Sequence, residues 1–292
     1  MNKTKQDYLQ LVKQYSAVAM LLFFVVLNSL FTPNFFRMGT LNNIITQICP
    51  TILCGMGMTL VISTGGIDIS VGSVMALAGV MTAKFMPETG LFPAMLLAIA
   101  ASVFVGCIAG FFVGVLELQA MVITLGLMLG VRGVAQVLCD GRDIYFNKLG
   151  DVGKQLGLWG TYKIGGVVPV QIIPILIFVI AVWVLVEKTV LGRQIQAVGD
   201  NIKSSALAGI HTSRVMMFVY GFSAFCAAFA GIFQAAKVSV AAGSSLGQLA
   251  ELDAIAAVVI GGTPMSGGKA TCDRNRDWCI DYADDYADLC YE

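Results

Sequence analysis

Long apolar stretches recur along this chain and restrict its fold more than any other feature. Apolar windows lie near residues 16–31, 41–63, 71–86, 92–116, 119–139, 169–186, 214–236 and 252–262. A helix needs about 20 apolar residues to cross a bilayer, and its backbone groups are all satisfied internally. Only 12% of the residues are charged, against about 25% in globular domains. We therefore predict an all-α, polytopic transmembrane helix bundle with about eight spans.

Charge and cysteine content exclude several functions. The formal net charge is zero and Lys and Arg form no long run, so we expect no nucleic-acid partner. Residues 1–15 are too long and too weakly basic for the start of a signal peptide, and we interpret them as a cytoplasmic lead into the first span. The cysteines within apolar segments lack the CxxC pairing of a zinc site, so we expect neither a metal nor a cofactor.

A polar interruption separates two of the most apolar segments. Residues 64–73 read TGGIDISVGS. Gly65 and Gly66 can end a helix, and Asp68 and Ser70 can cap the next one. Backbone exposed by a broken helix in lipid must be buried in protein or line a wet cavity. Two roles for Asp68 remain open: a simple helix cap, or a group that lines a pathway or gate.

The same interruption recurs near the end of the apolar region, as a weak internal repeat. VISTGGIDISVGS, ending at Ser73, matches AVVIGGTPMSGGKA, ending at Ala270, with Gly65 and Gly66 aligned on Gly261 and Gly262. Corresponding interrupted helices in two halves of a chain are typical of transporters. We therefore predict that a translocation pathway or gate involves Gly65, Gly66, Asp68, Ser70, Gly261, Gly262 and Ser266.

Four blocks of sequence resemble one known family. They read GMTLVISTGGIDISVGSVMALAG, LGLMLGVRGVAQ, LGRQIQAVGDNIKSSALAGI and ELDAIAAVVIGGTPMSGG. Their order and spacing, over residues 40–271, are similar to those of the membrane permeases of bacterial ABC importers for monosaccharides, of the ribose, arabinose, xylose, galactofuranose and autoinducer-2 type.

This resemblance implies a multi-pass permease of the bacterial inner membrane, surrounded by lipid, that passes a monosaccharide or similar small polar solute. It implies three kinds of protein partner: a second permease copy or homologue, two ATP-binding cassette subunits, and a periplasmic sugar-binding protein. The chain would then be no enzyme, because ATP would be hydrolysed on the partners. It contains no Walker A loop. His211, its one histidine, lies in a polar segment and is interpreted as a surface residue.

Residues 192–210 occupy the position of the family's coupling segment. They read GRQIQAVGDNIKSSALAGI and look like a short amphipathic helix flanked by glycines. The resemblance implies a cytoplasmic location and a contact with the ATP-binding subunit, with Asn201 available as a helix cap. An ordinary solvated loop is the alternative. The contact residues implied are Ala197, Gly199, Asn201, Ala206 and Gly209.

Three charged residues lie within or at the start of apolar segments. Arg132 needs a partner or a wet cavity at its position. Glu251 and Asp253 begin an apolar helix, where carboxylates favour the positive end of the helix dipole. A contact of Arg132 with either carboxylate is the further hypothesis.

The resemblance stops after Thr271, which separates a permease domain, 1–271, from an acidic tail, 272–292. The tail reads CDRNRDWCIDYADDYADLCYE and could not cross a bilayer. Either it is a disordered tail, or a frameshift has truncated the permease. In the second case the shifted frame of the gene encodes an apolar helix, and the chain is a transport-inactive fragment. An ion- or proton-coupled secondary transporter is the remaining alternative, although such proteins need several intramembrane carboxylates.

Overall fold

Helices form almost all of the regular structure. The computed structural model describes residues 22–31 and 35–268, so residues 1–21, the tail at 272–292 and the frameshift hypothesis lie outside its description. The helices are α1 (Leu22–Phe31), α2 (Met38–Ser63), α3 (Val71–Thr89), α4 (Leu91–Gly114), α5 (Ala120–Leu138), α6 (Gly150–Thr161), α7 (Ile172–Lys188), α8 (Val190–Asp200), α9 (Ile202–Leu207), α10 (Thr212–Val238) and α11 (Ala250–Ile260). The predicted all-α helix bundle is confirmed.

Short strands and terminal helices define two ends of the bundle. Two antiparallel pairs of two-residue strands connect β1 (Ile144–Tyr145) with β4 (Val240–Ala241) and β2 (Lys163–Ile164) with β3 (Val168–Pro169). They lie with α6 at one end, called here the α6 end. Helices α8 and α9 lie at the opposite end, called the α8 end.

Helix α10 is the centre of the bundle and packs against α2, α3 and α4. Small residues permit the close approach, since a Cβ on Gly106 or Gly110 would overlap the backbone of α10. Lipid provides no hydrophobic drive for helix association, so such packing contacts stabilise the bundle. By contrast, Gly126 and Gly130 of α5 have nothing within 4 Å of a built Cβ. The same small-residue spacing therefore leaves one face of α5 open.

The eight apolar windows each overlap a helix, but the helices differ in length. Within the described residues, α2, α4, α5 and α10 are long and apolar enough to cross a membrane. Helices α7 and α8 form a fifth candidate if the pair is counted as one span, and α11 has only 11 residues. These helices make the chain a multi-pass membrane protein, while the number of eight spans stays a prediction.

A tight elbow joins α7 to α8, whose axes differ in direction by 73°. Thr189 Oγ1 donates to the carbonyl oxygen of Leu185 at 2.6 Å and accepts from the backbone N–H of Gly192 at 3.1 Å. A Cβ on Gly192 would overlap the carbonyl oxygens of Leu185 and Val186. The elbow is therefore packed and hydrogen bonded on both sides.

Residues 242–249, called here the dipping segment, enter the bundle from the α6 end. They follow Ala241, which pairs with Ile144, and reach Gly247, which packs against the backbone of Gly72. Met75, three residues beyond Gly72, contacts Gly231 of α10. Gly231 lies seven residues before the end of α10, a depth of about 10 Å at 1.5 Å per residue. Helix α11 thus begins inside the bundle and runs to the α8 end.

Candidate functional site

Three segments that are distant in sequence meet at the α8 end, at a contact called here the glycine junction (Gly65, Gly199, Gly267 and Gly268). The backbone N–H of Gly268 donates to the carbonyl oxygen of Ser63 at 3.0 Å. A Cβ on Gly267 would lie 2.8 Å from the nitrogen of Gly65 and 3.0 Å from the carbonyl oxygen of Gly199. The two interrupted segments and the end of α8 are therefore in backbone contact.

Gly199 has the least room of the residues at this junction. A Cβ there would overlap the carbonyl oxygen of Ser63 and lie 2.5 Å from the nitrogen of Gly268. Next to it, the carboxylate of Asp200 occupies the space of a side chain on Gly268. The end of α8 consequently packs against both interruptions without space for a side chain at Gly199.

The two interruptions end their helices in the same way, which gives the sequence repeat a structural basis. After α2, Gly65 has φ +76° and its N–H donates to Ile62, while the N–H of Gly66 donates to Val61. After α11, Gly262 has φ of 106° and its N–H donates to Val259, while that of Thr263 donates to Val258. Both are Schellman motifs with glycine at the left-handed position.

This geometry corrects the register of the repeat by one residue. Gly65 corresponds to Gly262 rather than to Gly261, which is still in right-handed helical conformation at φ of −64°. The glycine identities in the sequence alignment hid this shift because both interruptions contain two successive glycines. The conformational requirement for glycine falls on the residue with positive φ.

Asp68 lies between α2 and α3 at the centre of a buried polar cluster, called here the Asp68 cluster. Its Oδ1 accepts from the backbone N–H of Ser70 at 2.9 Å and from Ser70 Oγ at 2.6 Å. Its Oδ2 accepts from Ser223 Oγ of α10 at 3.0 Å. Ser223 is the twelfth of the 27 residues of α10, so the carboxylate lies deep in the bundle.

Neither Asp68 nor Ser70 caps α3 through its side chain: Ser70 is the N-cap residue without a side-chain cap hydrogen bond, and Asp68 accepts from Ser70 instead. Asp68 is 2% exposed and both oxygens are occupied by donors. It supports the residue before α3 and ties that residue to α10. The neighbouring Tyr220 is fully buried against Gly66, and its hydroxyl has no hydrogen-bond partner among the residues that the structure describes. The participation of Asp68 and Ser70 in a gate stays a prediction.

The coupling segment forms two helices with an apolar tip. Asn201 Oδ1 accepts from the N–H of Ser204 at 2.9 Å, so the predicted cap is confirmed. Ala197 accepts a hydrogen bond from Ser205, which holds α9 against α8. Ala206 and Gly209 are exposed at the outer side, with Leu207 between them 91% exposed.

Arg132 and the carboxylates approach each other without forming an ion pair. The guanidinium donates to the carbonyl oxygen of Leu246 in the dipping segment. Among residues 22–31 and 35–268, Arg132 makes no ion pair with Glu251 or Asp253. Glu251 is 9% exposed and packs against Gly72, while Asp253 is exposed. The hypothesised ion pair is therefore absent from the described residues, and the guanidinium donates to a backbone carbonyl instead.

Comparison with known proteins decides the family. Residues 40–270 match the family described as the permease component of the branched-chain amino acid transport system. The chain belongs to this family of permeases.

Several relatives of this permease carry the names of sugar transporters. The galactofuranose transporter permease protein YtfT of Escherichia coli (strain K12) is 39% identical over 261 residues, covering 86% of this chain and 74% of its own. The ribose import permease protein RbsC of the same strain is 38% identical, with 89% and 80% covered. The fructose import permease protein FruF of Bifidobacterium longum (strain NCC 2705) is 37% identical, with 79% and 65% covered. No solved structure matches the chain.

Some residues of the permease that take part in these contacts were missed by sequence reasoning. Ser223 and Tyr220 sit in an apolar helix where a small polar residue is a common packing element. The dipping segment reads AGSSLGQL and is typical of a loop outside the membrane. No sequence motif marks Leu207 as an exposed contact residue. A structure was needed to find them, since depth and exposure are not encoded in local composition.

Proposed function

We propose that this chain is the membrane-spanning subunit of an ATP-driven importer that passes a monosaccharide or similar small polar solute across a bacterial inner membrane. The observation that carries the proposal is its identity of 37–39% to permeases named for galactofuranose, ribose and fructose. The family description names an amino acid system. Cargo therefore varies within the family, and these relatives favour a sugar.

ATP would be hydrolysed on separate subunits that dock at α8 and α9. The support is an apolar tip that projects from the α8 end beyond the long apolar helices. Leu207 is 91% exposed and Ile202 is 46% exposed. Burying such apolar side chains against a partner removes their surface from water, which stabilises the complex. An ATP-binding subunit is the occupant that the family role requires.

The glycine junction supplies a route from this docking site into the membrane. Ser205 of α9 is hydrogen bonded to Ala197 of α8, so a push on α9 moves α8. The end of α8 contacts both interruptions through Gly199. Closure of the ATP-binding subunits would thus shift α3 and α11 together. Transport would follow as the interruptions alternate between two packed arrangements.

A second permease would cover the face formed by α5 and α11. Gly126, Gly130 and Gly133 have open space where side chains would lie. Leu252 and Ile260 of α11 are both 57% exposed. A periplasmic sugar-binding protein would deliver the solute at the α6 end. Homodimer and heterodimer both fit this arrangement.

Reconstitution tests the proposal as a whole. The chain is co-expressed with a sugar-importer ATPase and its binding protein from the same organism and placed in proteoliposomes. We expect ATP-dependent uptake of at least one of labelled D-ribose, D-fructose or D-galactose, and ATP hydrolysis that rises with binding protein. Uptake of L-leucine alone would assign the amino acid cargo. Uptake driven by a proton or sodium gradient without ATP would establish the secondary transporter instead.

Leu207→Glu should weaken binding of the ATP-binding subunit at least tenfold, which corresponds to about 1.4 kcal/mol. A carboxylate cannot fill an apolar pocket without losing its hydration. Because Leu207 is 91% exposed, thermal unfolding of the permease alone should not change. The measurement is the affinity between purified permease and ATPase.

Leu158→Glu is the matched control, since Leu158 is 53% exposed but lies on α6 at the other end. It should bind the ATPase as the parent chain does. Equal loss of affinity in both variants would contradict docking at α9.

The orientation of the chain in the membrane provides an independent prediction. Lys203→Cys, on exposed α9, should react with a membrane-impermeant maleimide only after cells are permeabilised. Lys163→Cys, exposed at the α6 end, should react in intact cells. The reverse pattern would place α8 and α9 away from ATP and exclude the coupling mechanism.

A further inference from the structure

We propose that the dipping segment and the first turns of α11 form half of a binding site for the hydroxyl groups of a polyhydroxylated solute. The inference rests on the proposed function and assigns it a location in the chain. The side chains are Ser244, Ser245, Gln248 and Asp253, with Arg132 beside them.

The first argument for this site is the depth at which the dipping segment lies in the bundle. Gly247 lies against Gly72, and Leu246 lies against Gly79 in the middle of α3. The segment thus reaches a level about 10 Å below the end of α10, where lipid-exposed irregular backbone does not occur. Residues 242–249 contain no helix among the described elements. Such a segment must be covered by protein or must line a wet cavity.

The second argument is the exposure of polar side chains in the dipping segment and at the start of α11. Ser244, Ser245 and Gln248 are exposed in the single chain, and so is Asp253 one turn into α11. Polar side chains at this depth are costly in lipid and usually face a bundle interior or an aqueous cavity. Helix α11 continues directly from the segment and exposes Leu252, on the face that a second permease is proposed to cover. The cavity is therefore the space between two permeases.

The other side of the segment is held rigidly. Arg132 donates to the carbonyl oxygen of Leu246, and Gly247 meets the backbone of Gly72 without room for a side chain. Gly243 packs against the carbonyl of Ala135 and the sulfur of Cys139. Leu249 has φ of 63°, a conformation that a leucine adopts only when its surroundings impose it. The polar side chains are consequently presented from a fixed backbone.

The chemistry fits an uncharged polyol. Serine hydroxyls donate and accept, the glutamine amide does both at separate atoms, and a carboxylate accepts from two hydroxyls. Residues 242–253, AGSSLGQLAELD, include no aromatic ring on which a sugar face could stack. Binding would rest on a few hydrogen bonds, each of modest net strength because it replaces a bond to water. Weak binding of this kind lets a solute enter and leave.

Substituted cysteines test whether the segment faces water in the assembled importer. Ser245→Cys and Gln248→Cys should react with a charged methanethiosulfonate at least ten times faster than Phe104→Cys. Phe104 is the matched control because it is 67% exposed in the middle of α4, on an apolar surface. Modification should reduce sugar uptake at least tenfold relative to the same variant before treatment. Absence of reaction at both positions would overturn the inference.

Gln248→Leu tests contact with the solute itself, because leucine keeps a similar volume and cannot hydrogen bond. We expect the KM for the transported sugar to rise at least threefold, with recovery in Gln248→Asn. An unchanged KM would show that the segment faces an aqueous cavity without binding the solute, and it would overturn the binding proposal. Failure of the parent importer to take up any sugar would instead contradict the proposed function, and the cysteine reaction rates remain informative in that case.

Discussion

Replacing Gly199 with valine is expected to abolish ATP-driven uptake and to give the largest loss of transport among single substitutions at the α8 end. The Cβ would overlap the carbonyl oxygen of Ser63 and press on the nitrogen of Gly268. Both are backbone atoms, so no flexible side chain can move aside. Overpacking of this kind costs about 1–3 kcal/mol, and here it can be relieved by moving α8 away. Uptake in proteoliposomes is the measurement.

The coupling mechanism predicts how the variant fails. ATPase subunits should still bind, because Leu207 and α9 are unchanged, but binding protein should no longer stimulate ATP hydrolysis. Gly39→Val is the control, since a Cβ on Gly39, in the first turn of α2, meets nothing within 4 Å. Normal stimulation and uptake in the Gly199 variant would show that contact between α8 and the two interruptions is not the route of coupling.

Asp68→Ala should produce the largest loss of stability among polar substitutions. It leaves the hydroxyls of Ser70 and Ser223 and the N–H of Ser70 without their acceptor in a buried site. Each buried donor left unsatisfied costs about 1–3 kcal/mol, so we expect a loss of roughly 3 kcal/mol after partial relaxation. Thermal unfolding of the purified protein in detergent is the measurement.

Two further substitutions separate structure from gating at the same carboxylate. Asp68→Asn keeps one acceptor oxygen and should be clearly more stable than Asp68→Ala. Ser223→Ala removes only the link to α10 and should cost about 1 kcal/mol. If Asp68→Asn restores stability but not uptake, the carboxylate serves in a gate as well as in the buried hydrogen-bonded cluster. Equal stability of Asp68→Ala and the parent would contradict the role of the cluster described here.

The positions of the helices could be predicted from the sequence because runs of apolar residues mark them directly along the chain. The apolar window at 41–63 became α2, which ends at Ser63, and the window at 214–236 became α10. Helix ends were also readable, since Gly65 and Gly66 supply the conformations that terminate α2. Asn201 was identified as a cap because its side chain acts within three residues.

Contacts between distant segments could not be predicted in the same way. Gly199 was singled out by its place in the coupling segment, but nothing in the sequence shows that it meets Ser63 and Gly268. The register of the repeat was wrong by one residue because a pair of glycines does not say which adopts positive φ. Arg132 was expected to seek a carboxylate, but the carbonyl of Leu246 is its partner.

If α8 lies at the cytoplasmic membrane surface, as proposed for the coupling segment, the elbow joins it directly to α7, an apolar helix of 17 residues. Thr189 is hydrogen bonded to both helices, and Gly192 leaves no gap at the corner. The 73° angle is therefore resistant to change. If α8 rotates when nucleotide is hydrolysed, α7 has to tilt through the same angle, and the surrounding lipid must accommodate that tilt. Bilayer thickness should accordingly influence the turnover of this importer, even though lipid takes no part in its chemistry.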